Sequence, residues 1–130
     1  MTTTIQYRVP YADSDQMGVV YYANYLVYFE RARNELLRDC GTTYRVMEED
    51  RLMLPVREAR VEYRAPAVYD DLLEFDAWIS LAKGARLRID CRVRRGEELL
   101  AEGYTVHACV DRDTRRPKRL PDAFLEYAER

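Results

Sequence analysis

Hydrophobic and polar residues alternate along most of the second half of the chain, which is the pattern of half-buried β-strands. This alternation predicts five strands, at residues 5–9, 54–64, 73–81, 85–93 and 99–110. The apolar positions of the second strand change phase between Val56 and Val61, which predicts a β-bulge there. Most of the turns after it are short, as at Lys83-Gly84 and Gly96, so the later strands are predicted to be antiparallel neighbours.

One segment has the period of an α-helix instead. From about Val20 to Gly41, apolar side chains recur every three or four positions, which predicts one long helix with a buried side. Arg33 interrupts that side, whose predicted members are Tyr22, Tyr25, Leu26, Phe29, Ala32, Leu36 and Leu37. Pro121 is suited to the first position of a short C-terminal helix. The order of elements predicts an α+β fold, a curved antiparallel β-sheet around one long α-helix, in a single domain of residues 1–130.

Composition narrows the partners that the protein can have. Of its 130 residues, 48% are hydrophobic and 34% charged, and the formal net charge is -2 at pH 7. This charge gives no bulk attraction to nucleic acid, so no nucleic-acid partner is expected. Apolar runs stay short of the roughly 18 residues of a membrane span, so none is expected. The three cysteines have neither disulfide-framework nor C-x-x-C spacing, which favours a reducing, cytoplasmic setting.

Several common catalytic groups are scarce in this chain. A single histidine, His107, excludes a zinc site built on several histidines of one chain and is expected to lie in the core or an interface. Neither Ser14 nor Ser80 lies in a G-x-S-x-G motif, and the five glycines form no phosphate-binding loop. The chemistry must therefore use carboxylates, tyrosines, arginines and backbone groups, and no metal or dissociable cofactor is expected.

The loop between the first strand and the long helix is the strongest candidate site. It places Asp13 and Asp15 immediately before a helix N-terminus, where unpaired N–H groups and the positive end of the helix dipole stabilise an oxyanion. A carboxylate there can act as a general base or a nucleophile toward a carbonyl group. Ordinary helix capping also uses Asp and Ser, and spacing alone favours that explanation. Two metal ligands are a further, weaker possibility.

The residues from Asp13 to Arg38 resemble the 4-hydroxybenzoyl-CoA thioesterase family, in particular its acyl-CoA thioesterases of the YbgC type. The matching run is D-S-D-Q-M-G-V-V-Y-Y-A-N-Y-L-x-Y-F-E-R-A-R-x-E-L-L-R. The resemblance continues in V-E-Y-x-A-P-A at residues 61–67 and D-D-x-L-E at residues 70–74, and covers nearly the whole chain. It implies the hotdog fold, in agreement with the predicted elements. It also implies a homodimer or a dimer-of-dimers homotetramer with active sites between subunits.

The same resemblance implies roles for residues of the loop. Asp15 corresponds to the catalytic carboxylate, the backbone N–H of Tyr22 to the group that polarises the thioester carbonyl, and Gly18 to a residue that shapes the approach to it. The YbgC-type pattern usually reads V-V-Y-H here, whereas this chain has Tyr21-Tyr22. The assisting histidine of those relatives is therefore missing.

Substrate contacts are predicted outside the loop. Tyr63 is a candidate for lining the acyl pocket from the partner subunit, although core packing explains it equally well. Lys83, Arg86 and Arg88 are candidates for the CoA phosphates, since basic groups suit phosphate. The expected function is acyl-CoA thioester hydrolysis. The alternative is a module that binds acyl-CoA or acyl-carrier protein without cleavage. A hotdog hydratase or dehydratase is disfavoured, because such sites use a histidine with an aspartate.

Overall fold

A computed structural model describes residues 1–128 of the chain. Its strands, in chain order, are β1 (Thr3–Arg8), β2 (Leu52–Met53), β3 (Val56–Tyr63), β4 (Leu72–Lys83), β5 (Arg86–Arg95), β6 (Glu98–Ala108) and β7 (Val110–Asp111). The α-helices are α1 (Asn24–Asp39), α2 (Tyr44–Glu49) and α3 (Asp122–Ala128), and a 3-10 turn spans Tyr11–Asp13.

The five longer strands form one sheet in the order β1-β4-β5-β6-β3, and every neighbouring pair is antiparallel. Helix α1 packs on this sheet against β1, β4 and β5. Strands β2 and β7 form a separate two-stranded pair. The predicted α+β architecture, an antiparallel sheet with one long helix against it, is therefore confirmed.

The core lies between α1 and the face of the sheet that the alternating apolar residues share. In β4 and β5 these residues are buried, whereas most of their polar neighbours point to the other face; the buried ones are Leu73, Phe75, Ala77, Ile79, Leu87, Ile89, Cys91 and Val93. Tyr28 of α1 stacks on Phe75 of β4, with ring centroids 4.6 Å apart and an interplanar angle of 17°. Offset stacking of this kind adds about 1 kcal/mol to the free energy gained by burial.

The predicted helix begins four residues too early, and part of its predicted buried side is wrong. The N–H of Val20 donates to Ala67 O (2.8 Å) and that of Tyr21 to Asp13 O (2.9 Å), so both residues belong to the loop rather than to a helix. Tyr22 is 62% exposed and Leu26 41% exposed. Tyr28, which was not predicted to face the core, is buried there.

Arg33, the polar interruption of the helical pattern, is also buried, at 7% exposure. Its Nη1 donates to Thr105 Oγ1 (3.5 Å), and Thr105 Oγ1 lies 2.8 Å from His107 Nε2. His107 Nδ1 lies 2.9 Å from the carbonyl oxygen of Leu54, so the ring bridges β6 and the chain before β3. Burial lowers the pKa of His107 to about 4. The expectation of a core histidine is confirmed.

The register of β3 against β6 shifts between Val56 and Glu58, which confirms the predicted bulge. At Gly103 of β6 the backbones approach so closely that a Cβ atom would lie 1.8 Å from the carbonyl oxygen of Arg60. The position therefore excludes every side chain. The pairing of β3 with β6 continues past this glycine to Tyr63, the last residue of β3.

A buried carboxylate on the other face of the sheet joins β1, β4 and β5. Asp76 is 1% exposed; its Oδ2 accepts hydrogen bonds from Arg92 Nε (2.7 Å) and Arg94 Nε (2.6 Å), and its Oδ1 accepts one from Thr4 Oγ1 (2.6 Å). Burial disfavours the ionised carboxylate, but these donors outweigh burial and lower the pKa of Asp76 from 3.8 to about 2.

This pKa shift makes the stability of the fold depend on pH. A carboxyl group with a lowered folded-state pKa stabilises the fold above its unfolded pKa, and the contribution disappears as the pH falls toward about 2. We expect Asp76→Asn to lower the free energy of unfolding by about 2 kcal/mol at pH 7 and by much less near pH 2.5. Urea unfolding across this pH range measures the difference, with the exposed Asp122→Asn as control. If Asp76→Asn lowers the free energy of unfolding by the same amount at every pH, the lowered pKa of Asp76 is contradicted.

Candidate active site

A tight turn presents Asp15 beside the start of α1. Ser14 and Val20 form an antiparallel bridge, the N–H of Asp15 donates to Val19 O (2.9 Å), and the N–H of Gly18 donates to Asp15 O (3.0 Å). Gly18 has φ +79°, a conformation that residues with a Cβ rarely adopt. Gly18 therefore closes the turn that carries the carboxylate.

The Asp15 carboxylate is half-buried, and one of its oxygens is held by the loop. Oδ1 accepts a hydrogen bond from the N–H of Met17 (2.8 Å), whereas no donor in residues 1–128 reaches Oδ2. Asp15 borders an open depression of about 590 Å³, whose other lining residues are Tyr11, Ala12, Ser14, Gln16, Tyr21 and Asn24. Oδ2 is thus free to act as a base or a nucleophile.

The N-terminus of α1 leaves backbone donors available. The residue before the helix is Ala23, and no side chain caps the first turn. The N–H groups of Asn24, Tyr25 and Leu26 donate to carbonyl groups three residues earlier, whereas those of Tyr22 and Ala23 meet no acceptor in the described part of the chain. The capping explanation for the aspartates is therefore wrong: Asp15 binds its own loop, and Tyr22 N–H remains a donor at a positive helix end.

Tyr21 lines the depression, and its ring contacts that of Tyr22 at the start of α1. Their rings lie 4.8 Å apart, and both are exposed. The pKa of Tyr21 is raised, chiefly by hydrogen bonding with the Tyr22 side chain and more weakly by the negative charge of Asp15. Two phenol groups therefore lie next to each other at the helix start, and Tyr22 is the one at the position where the sequence comparison expected a histidine.

Tyr63 lies against the same helix start, within the same chain. Its hydroxyl donates to the carbonyl oxygen of Tyr22 (2.9 Å), and its ring contacts Tyr25 edge-on at 5.1 Å. This contact fixes the peptide group between Tyr22 and Ala23. Tyr63 is 48% exposed, so a substrate can still reach its ring, and its predicted role in the acyl pocket stays a prediction.

Asp13, the first aspartate of the loop, faces away from the depression. Its Oδ2 accepts hydrogen bonds from the hydroxyls of Tyr7 and Tyr28, both at 2.7 Å. This engagement makes the carboxylate a poor metal ligand. Across residues 1–128, no three His, Cys, Asp or Glu side chains gather where they could hold a metal ion. Tyr28 falls outside the predicted apolar stripe, whereas Tyr7 is one of the alternating apolar residues of the predicted first strand; the spacing indicated no contact of either with Asp13.

The three basic candidates lie in two different environments. Lys83 and Arg86 face each other across the β4–β5 turn, and Arg86 lines a groove of about 440 Å³ together with Arg57. Arg88 instead pairs with Asp90 (Nε to Oδ1, 2.9 Å) and lies 3.9 Å over the ring of Tyr104. The structure thus separates Arg88, which has an acidic partner, from the groove of Arg86.

An antiparallel sheet on one long helix, with a carboxylate loop before that helix, is the hotdog arrangement. The chain belongs to the thioesterase-like superfamily, whose profile matches residues 9–127. No helix within residues 1–128 has both the length and the apolar character needed to cross a membrane.

Individual relatives are similar over most of their length. The acyl-CoA thioester hydrolase YbgC of Escherichia coli is 38% identical over 119 residues, covering 91% of this chain and 89% of the relative. The crystal structure of a probable thioesterase from Bartonella henselae has 35% identity and a TM-score of 0.87, covering 93% of this chain and all (100%) of the other. The crystal structure of a 1,4-dihydroxy-2-naphthoyl-CoA thioesterase from Synechocystis has 27% identity and a TM-score of 0.90, covering 98% of this chain and 96% of the other.

The hydrogen bond from Tyr63 to Tyr22 gives a direct test of how the helix start is held. Tyr63→Phe keeps the ring contact with Tyr25 but removes the hydroxyl donor. We expect the free energy of unfolding to fall by about 1 kcal/mol, measured by urea unfolding. Tyr69→Phe, at an exposed tyrosine, is the control and is expected to change it by less than about 0.5 kcal/mol. Equal free energies of unfolding for the two variants would show that the Tyr63 hydroxyl contributes nothing to the stability of the fold.

Proposed function

We propose that the protein is an acyl-CoA thioester hydrolase, which converts an acyl-CoA and water into a carboxylic acid and CoA. One observation carries the proposal. The half-buried Asp15 borders an open depression beside a helix start, and within residues 1–128 neither its Oδ2 nor the N–H groups of Tyr22 and Ala23 have a hydrogen-bond partner. The substrate class is supported by the similarity to the acyl-CoA thioester hydrolase of Escherichia coli.

In the proposed reaction, Asp15 acts in its ionised form through Oδ2. As a general base it takes a proton from water, whose oxygen attacks the thioester carbon. As a nucleophile it attacks that carbon itself and forms a mixed anhydride, which water then hydrolyses. The electrons of the carbonyl bond move to its oxygen in either case, and return as the carbon–sulfur bond breaks.

The negative charge on that oxygen is stabilised by the Tyr22 N–H and the positive end of α1. CoA leaves as a thiolate without a strong acid, because a thiol pKa is only about 8.5. Gly18 leaves the approach to the carbonyl group open, since it carries no side chain beside Asp15. The proposed mechanism requires no metal and no dissociable cofactor.

A homo-oligomer is part of the proposal, either a dimer or a dimer-of-dimers tetramer. Strand β3 forms one edge of the sheet, and an edge strand offers backbone groups to a second copy. Val56 and Tyr63 of β3 are each 48% exposed, Tyr63 contacts the exposed Tyr22, and Leu26 in the first turn of α1 is also exposed. Pairing of two copies along β3 would cover this apolar surface and place the active sites at the subunit interface.

For the CoA phosphates we propose Arg86 and Lys83 at the β4–β5 turn. Arg57 and Arg86 line one groove and form no ion pair with any carboxylate of residues 1–128, which leaves both guanidinium groups available to an anion. Arg88 is a weaker candidate because Asp90 holds it. A cytoplasmic location is supported by the buried thiols of Cys91 and Cys109.

The central test is thiol release from short aliphatic, long aliphatic and aromatic acyl-CoAs. We expect Asp15→Asn to lower kcat by at least about 100-fold, because the amide is neither a base nor a good nucleophile. The exposed Asp122→Asn is the matched control and should hydrolyse like the parent. Equal rates for Asp15→Asn and the parent contradict the assignment. Acyl-CoA binding without thiol release favours the alternative, a binding module.

Turnover in oxygen-18 water tests the nucleophilic role of Asp15, for which label in its carboxylate is positive evidence. Water that hydrolyses a mixed anhydride at the Asp15 carbonyl leaves label in the carboxylate, whereas general-base catalysis leaves none. Mass analysis of the Asp15 peptide after repeated turnover detects the label.

The phosphate site has its own expected outcome. Arg86→Ala should raise KM for acyl-CoA about tenfold and change kcat less than about twofold, since a charged hydrogen bond contributes about 1.5 kcal/mol to binding. The control is Arg38→Ala, which removes an exposed arginine of α1 paired with Glu35. An unchanged KM for Arg86→Ala would place the phosphates elsewhere.

A further inference from the structure

One carboxylate joins three parts of the chain next to the site. Asp13 Oδ2 accepts one hydrogen bond from the hydroxyl of Tyr7 in β1 and one from the hydroxyl of Tyr28 in α1, each at 2.7 Å. Two donors on a single ionised oxygen fix its direction, and hydrogen bonds to an ionised group are stronger than those between neutral groups. The side chain of Asp13 thus ties the loop to both the strand before it and the helix after it.

The backbone of the same residue holds the helix start. The carbonyl oxygen of Asp13 accepts the N–H of Tyr21 (2.9 Å) and Nδ2 of Asn24 (3.0 Å). Tyr21 directly precedes Tyr22, and Asp15 follows Asp13 by two residues. Asp13 is therefore the shared anchor of the carboxylate and of the N–H group that the proposed reaction uses.

The two tyrosines are themselves held rigidly. The Tyr7 ring lies 5.1 Å from Tyr28 and 5.3 Å from Phe75, and Tyr28 stacks on Phe75 at 4.6 Å. The guanidinium of Arg31 lies 4.8 Å over the Tyr7 ring. Burial, followed by the hydrogen bond to Asp13, raises the pKa of Tyr7 to about 12 and raises that of Tyr28 as well. Both hydroxyls therefore stay protonated donors at neutral pH.

We propose that Asp13 is a positioning residue, which through Tyr7, Tyr28 and its own carbonyl group holds Asp15 and Tyr22 N–H in the geometry of the reaction. The proposal rests on the proposed function, because it assigns Asp13 a role in that reaction. A displacement of about 1 Å in a reacting group can lower a rate 100-fold. Loss of the anchor should therefore reduce kcat more than substrate binding.

The test removes each connection in turn. Tyr7→Phe and Tyr28→Phe each delete one hydroxyl, Asp13→Ala deletes both acceptor bonds, and Asp13→Asn keeps one oxygen that can accept them. The matched control is Tyr127→Phe, which loses a buried hydroxyl 3.3 Å from Thr3 Oγ1, near the C-terminal end of α1. All variants are assayed at 25 °C after circular dichroism has shown that they are folded.

We expect kcat to fall about tenfold in each Tyr→Phe variant at the anchor and about 100-fold in Asp13→Ala, with KM within about threefold of the parent. The kcat of Asp13→Asn should be about tenfold higher than that of Asp13→Ala. Because the two tyrosines share one acceptor, their double variant should lose no more than Asp13→Ala. Tyr127→Phe should keep the kcat of the parent even if its free energy of unfolding falls as much as that of the anchor variants.

A purely structural role gives a different result. If the anchor variants keep kcat within twofold of Tyr127→Phe, or lose activity only through KM, the proposal is wrong. The two Tyr→Phe variants keep the test valid if Asp13→Ala does not fold. Amide NMR adds a readout that needs no turnover: resonances of Asp15 and Tyr22 should shift in the anchor variants and stay in place in Tyr127→Phe. Unchanged resonances overturn the proposal.

The failure of this inference differs from failure of the proposed function. An inactive Asp15→Asn together with fully active anchor variants refutes only the role of Asp13. An Asp15→Asn variant as active as the parent refutes the catalytic assignment itself, whatever the anchor variants do. If Asp15→Asn is active and the amide resonances still shift, Asp13 positions the loop but Asp15 does not catalyse the reaction. The inference, which assigns Asp13 a role in that reaction, then fails as well.

Discussion

The stacking of Tyr28 on Phe75 fixes where the first turns of α1 lie on the sheet, and the geometry of the site follows from that contact. The rings contribute apolar burial, which is strong but has little directional preference. The hydroxyl of Tyr28 adds direction, because it points out of the core to Asp13. A single side chain thus joins the packing of the helix to the position of the loop.

The loop itself has few apolar contacts and is held mainly by polar ones. Asp15 binds the N–H of Met17, Gly18 closes the turn, and Val20 bonds to the carbonyl group of Ala67. Because each of these bonds depends on distance and angle, the loop has one preferred conformation although much of it faces solvent. The helix start is the exception, since the N–H groups of Tyr22 and Ala23 meet no acceptor within residues 1–128. Donors of this kind are what a developing oxyanion requires.

The sheet and the long helix could be predicted from the sequence because each has a clear hydrophobic period. The helix start could not, since Val20 and Tyr21 continue the apolar pattern while their N–H groups bond to the loop. Helix α2 was missed because it has only six residues, too few for a period to show. At the site, the two aspartates and the turn glycine could be identified from the sequence and the family resemblance. The hydrogen bonds from Tyr7 and Tyr28 to Asp13 could not, because they depend on how α1 packs on the sheet, which no local pattern in the sequence shows.

The ion pairs on the outer face of the sheet determine the electric field that a distant anion experiences. Arg88, Arg92 and Arg94 each lie within ion-pair distance of an aspartate, so these opposite charges largely cancel beyond a Debye length of about 8 Å. In the groove of Arg57 and Arg86, Glu58 is the one acidic residue on the wall within residues 1–128, so the cancellation is weaker there. Although the whole chain carries a net charge of -2, its electric field is therefore uneven. The guanidinium groups of this groove attract an approaching polyanion locally, and dissolved salt weakens that attraction.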